Sequence, residues 1–186
     1  MALTSPFANL HNALIERITL MVPEIRYIAQ DMGQLEHYEI RPPVSWPCCL
    51  IDVGDDFNFS DVAGTFKQQA DGLIMFRLGM VKYTDSNNLV PANIRENALQ
   101  YFEIEQKLFV ALHGWAPAGF GRLLRRKSTK ELREDDILVR RVPFAISFTD
   151  ESAKPVKTTI ARPGINVGIN RAAGGEFSDD FNNDFT

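Results

Sequence analysis

PANIRENALQYFEIEQKLFVALHGW, residues 91–115, carries Leu99, Phe102, Phe109 and Leu112 at helical spacing, joined by Ala98, Leu108 and Ala111. Steps of three and four residues place such side chains on one stripe of a long helix. Glu96, Glu103, Glu105, Gln106 and Lys107 fill the other side. Pro91 suits a first turn, Asn88 or Asn93 suits a cap, and Gly114 suits a stop, so the pattern predicts a central core helix with both ends marked.

Working back towards the N-terminus, Phe7, Leu10, Leu14, Ile18 and Met21 share one helical face behind Ser5-Pro6, which predicts a first helix. Residues 23–30 begin with Pro23, tolerated in a first turn, and are expected to form a short helix that closes at Gly33. Residues 35–40 read as a short strand, and Cys48 to Val53 as a buried one, being a brief apolar run. Residues 54–65, GDDFNFSDVAGT, are acidic and turn-rich, and read as a loop or hairpin tip. Residues 68–83 carry apolar positions on both alternating faces, broken on one by Arg77 and Gly79, as in a long central strand.

Towards the C-terminus, residues 116–134 read as a loop and residues 137–148 as a strand by strict alternation. Pro143 cannot donate to a ladder and points to an edge, a bulge or a break. Beyond Asp150 the periodicity fades into Gly, Asn, Asp and Ser, with Phe177, Phe181 and Phe185 at four-residue steps. The order of elements predicts an α+β fold, an antiparallel or mixed β-sheet covered by helices, over residues 1–150. Residues 151–186 are expected to form an extended C-terminal arm, with the three phenylalanines as its anchors.

The chain has 186 residues, 45% of them hydrophobic, and a formal net charge of -4, which suits one soluble domain and argues against wholesale coating of nucleic acid. Residues 1–21 lack a basic start followed by an unbroken apolar run, and no stretch reaches bilayer-spanning length, so cytoplasmic synthesis without a membrane is the default expectation. No catalytic constellation, metal spacing or cofactor motif is legible. His11, His37 and His113 are far apart, Cys48 and Cys49 are adjacent, and Gly119 and Gly121 lack the lysine and setting of a phosphate loop.

Charge is more informative. Arg122, Arg125, Arg126, Lys127, Lys130 and Arg133 are compressed into one segment, a candidate contact for phosphates or an acidic protein surface. The tail carries Glu176, Asp179, Asp180 and Asp184 with no base after Arg171. Opposite charges at separate places on one chain suit a head-to-tail assembly.

Taken in order, ALIERITLMVPEIRYI, PCCLIDV, a long strand, KLFVALHGW, a basic loop and VRRVPFAISF resemble the tail-terminator or tail-completion (head-tail joining) proteins of lambda-type tailed phages, from about Ala8 to Phe148. The resemblance implies a structural virion protein without enzymatic activity or cofactor, a hexameric ring at the head-proximal end of a tail. It also implies the tail tube and the neck or connector proteins as partners, with DNA as a candidate for the lumen. A second reading from another class is a small α+β enzyme or ligand-binding domain whose pocket uses His113, Trp115 and the basic loop.

Overall fold

The computed structural model of the chain describes residues 4–36, 44–62, 66–81, 86–133 and 135–155, and the fold lies within the unit Met1–Lys154. Its elements are α1 (Pro6–Met21), β1 (Tyr27–Gln30), β2 (Cys48–Asp61), β3 (Gln68–Val81), α2 (Ala92–Leu112), β4 (Leu124–Arg125), β5 (Thr129–Lys130) and β6 (Ile137–Asp150). The sheet runs β1-β2-β3-β6-β4, with β5 also paired to β6. β1 is parallel to β2 and the other pairings are antiparallel, so the sheet is mixed and the class is α+β.

Alternation along β3 gives the two faces different fates. Ile74, Phe76, Leu78 and Met80 join Cys49, Ile51, Val142, Phe144 and Ile146 beneath the helices. Leu10, Leu14 and Ile18 of α1 and Ile104, Leu108 and Leu112 of α2 close that core. The opposite face has a smaller cluster of Leu35, Cys48, Leu50 and Val139, with Val44 and Trp46 packed against it. Gly79 lets this second cover approach, because a Cβ there would lie 2.8 Å from Cys48 Sγ and 2.9 Å from Trp46.

Four expectations are corrected. Residues 27–30 are strand β1, because the Arg26 N–H donates to the Pro47 carbonyl (2.8 Å) and pairing with β2 follows, a tertiary override of local propensity. The GDDFNFSD segment continues β2 past an irregularity between Val53 and Asp56. It is strand because it pairs with β3 and Phe57 turns inwards, 5.0 Å from Phe7 and 6.0 Å from Phe148, while Asn58, Phe59 and Ser60 stay exposed. The segment 116–134 contains β4 and β5. Finally, α2 is rotated from its expected setting. Ile104, Glu105, Leu108, Ala111 and Leu112 are its buried residues, whereas Phe102 is 46% and Leu99 37% exposed. Pro91 holds the N-cap position without a side-chain cap bond, and Gly114, at φ 79°, ends the helix.

Pro143 sits where its missing N–H costs no ladder bond. It pairs with Met75 on β3, and on its other side its carbonyl accepts from the Arg126 N–H (2.9 Å) in the gap between β4 and β5. Between the pairs Arg125↔Phe144 and Thr129↔Arg141 the outer chain has one extra residue, which is a bulge. Leu35 and Glu36 lie in a turn, and the rest of the strand expected over 35–40 falls outside the described residues.

Candidate functional site

The basic segment is pinned to β6 by its backbone. Gly121 N–H donates to the Ser147 carbonyl (2.7 Å), Arg126 N–H to Pro143 and Glu131 N–H to Val139 (both 2.9 Å). Buried Leu123 adds a second tether, exchanging bonds with Gly114 (2.7 Å) and Trp115 (2.9 Å) at the end of α2. The side chains are thus presented by a fixed strip.

Within that strip the six cations have different surroundings. Arg122, Arg126, Lys127 and Lys130 are exposed and have no ion-pair partner among the described residues. Arg125 is half-buried, its guanidinium 3.8 Å from the centre of the Phe109 ring. Arg133 is committed internally, to Asp135 (2.6 Å), Glu131 (3.1 Å) and the Leu35 carbonyl (2.7 Å).

Two buried ion networks hold this strip in place. Glu105 of α2 accepts from Arg140 Nε at 2.7 Å and from the Ser128 hydroxyl, and Arg140 also bonds Ser128 Oγ at 2.6 Å. Burial pushes the Glu105 carboxyl up, but the bonds from Arg140 and Ser128 outweigh it and hold it below the usual carboxylate value. On the other face of the sheet, Arg77 bonds Asp31 (2.9 Å), Glu131 (3.1 Å) and Glu36. Burial opposes its charge, yet Glu36 and Asp31 raise its pKa above the ordinary arginine value. Glu131 is lowered in turn, since Arg77 and Arg141 overcome the cost of its burial. Arg77 was visible in the sequence only as an interruption of an apolar strand, because its partners come from two distant segments, Asp31 and Glu36 from the turn after β1 and Glu131 from beside β5.

His113 and Trp115 serve the junction between α2 and this strip. Nδ1 of His113 accepts the Arg125 N–H (3.2 Å) and its ring lies 4.8 Å from Phe109. Trp115 lies under Arg17, 5.4 Å from the guanidinium, whose Nε donates to the Ala111 carbonyl (3.0 Å). A groove of about 620 Å³ opens instead beside the N-terminal half of α2, lined among others by Trp46, Met80, Tyr101 and Leu138, with Arg26 and Lys130 as its cations.

Cys48 and Cys49 are free and buried. Burial pushes the Cys48 thiol up to about 12 and raises Cys49 as well, which opposes thiolate chemistry at either. Among the described residues no group of three or more His, Cys, Asp or Glu is placed to hold a metal ion, and no helix is long and apolar enough to cross a membrane. Phe177, Phe181 and Phe185 lie outside the described residues.

No protein-family model and no curated protein matches the chain. Among solved structures it is similar to a chain of the virion of a native gene transfer agent particle, at 12% sequence identity and a TM-score of 0.43, with 80% of this chain and 99% of that one covered.

Proposed function

We propose that this chain is a structural virion protein of the tailed-phage type, which forms a homo-hexameric ring at the head-proximal end of a tail, terminates the tail tube and joins it to the neck. The observation that carries this reading is the fixed basic strip: Arg122, Arg126 and Lys127 stand exposed, with no ion-pair partner among the described residues, on a backbone bonded to β6. A ring repeats such a strip around its axis, so individually weak charge contacts add through multivalency. Strips facing the lumen meet DNA phosphates, and strips facing the rim meet acidic tail or neck protein. Exposed Leu99, Phe102 and Val110 on α2 supply apolar area for packing between subunits. The order of sequence features shared with tail-terminator proteins supports the same place in a particle.

The reading is tested by gold-labelling an epitope-tagged chain in purified particles. Label at the junction of head and tail is expected. Particles that lack the protein, or that carry it on the head surface or at the distal tip, contradict it.

A further inference from the structure

The groove beside α2 is matched in chemistry by one stretch of the chain itself. Its apolar surface includes Trp46, Met80, Tyr101 and Leu138, its cations are Arg26 and Lys130, and none of its described lining residues is acidic. Arg26 and Lys130 are both exposed and have no ion-pair partner among the described residues. An occupant must therefore bring aromatic or aliphatic surface together with negative charge. Residues 176–186, EFSDDFNNDFT, bring Phe177, Phe181 and Phe185 interleaved with Glu176, Asp179, Asp180 and Asp184.

We infer that the C-terminal segment 176–186 of one copy docks into the α2 groove of a second copy, with a phenylalanine seated against Trp46 and Tyr101 and its aspartates facing Arg26 and Lys130. The inference rests on the self-assembly part of the function proposed above. Leu138, at the groove, is the second residue of β6, whereas the chain leaves the fold after Asp150 at the strand's other end, about 40 Å away at roughly 3.4 Å per residue. Each copy thus offers a donor end and an acceptor end, the arrangement of a heterologous contact, which builds a ring where its rotation closes. The linker before the docking segment, residues 156–175, reaches up to about 66 Å at about 3.3 Å per residue, more than the length of β6.

A charge exchange in the full-length chain tests this by sedimentation velocity. One variant carries Arg26→Glu with Lys130→Glu, and the other carries Asp179→Lys with Asp180→Lys. Each alone should assemble about ten-fold more weakly than the natural chain, while circular dichroism and the melting temperature stay unchanged. Mixed in equal amounts, the two should assemble again, because each arm then meets a groove of opposite charge on the other variant. Single variants that assemble like the natural chain overturn the inference and leave the ring reading standing. A mixture that stays dissociated overturns docking between copies, and recovery only when all four changes sit in one chain assigns the arm to its own groove. A natural chain that never assembles overturns the ring reading itself.

Discussion

Arg77 and Asp31, 46 residues apart in sequence, meet at 2.9 Å with both side chains almost wholly out of solvent. The pair ties the turn after β1 to the central strand, and Glu36 of the same turn and Glu131 beside β5 complete the site. Removing the arginine strips Asp31 and Glu36 of their cation and leaves Glu131 with only Arg133 and Arg141 among the described residues. Arg77→Ala should therefore destabilise the fold by about 3–5 kcal/mol, and Arg77→Lys should recover only part of this, since a single ammonium cannot reproduce the fork of a guanidinium. Urea unfolding measures both, and an unchanged midpoint for Arg77→Ala would show that the network contributes nothing.

The same networks set an acid limit. Glu36, Glu105 and Glu131 all ionise below their ordinary value of 4.5 in the folded chain, burial opposing and arginine bonds prevailing. Around that pH the unfolded chain binds more protons than the folded one, so the stabilisation is full above about pH 4.5 and is lost as pH falls through the lower, folded values. Glu105→Gln should be less stable than the natural chain at pH 7 and should lose less on acidification. Parallel stability curves from pH 7 to pH 3 would contradict the assignment.

The orientation of α2 has its own test. Leu108 is fully buried, so Leu108→Ala should cost about 2–5 kcal/mol, whereas half-buried Phe109 under Arg125 should cost less on truncation to alanine. The reverse order would restore the face on which Phe109 belongs to the core.

Helix α2, strand β3 and strand β6 were legible in the sequence because their apolar periods are long. The rotation of α2 was not, since helical spacing alone also fits a stripe through Leu99 and Phe102. What decides it is Glu105, a charged residue that enters the core because Arg140 waits on β6, 35 residues further on. Strand β1 was hidden for a similar reason, as a four-residue run gains its identity from β2 and not from its own pattern. The basic cluster was visible as composition, but which of its cations are unpaired depended on the positions of Glu131, Asp135 and Phe109.

Gly79 marks the tightest point of the second cover. Gly79→Ala would push a methyl group into Cys48 and Trp46 and should destabilise by about 1–3 kcal/mol, while the exposed pair Arg126→Glu with Lys127→Glu should change stability by less than about 0.5 kcal/mol. The charge reversal should instead weaken docking of the assembled protein onto its neighbours in the particle. Thermal melts and particle yields separate the two effects, and normal, genome-filled particles with both charges reversed would make the strip an ordinary solvated surface.

Native mass spectrometry of the full-length chain decides whether the protein assembles with copies of itself. A closed hexamer of the 21.0 kDa chain is expected, formed alone or on addition of a tail-tube protein as the proposed partner. A single 21.0 kDa species at every concentration, with and without that partner, would contradict it.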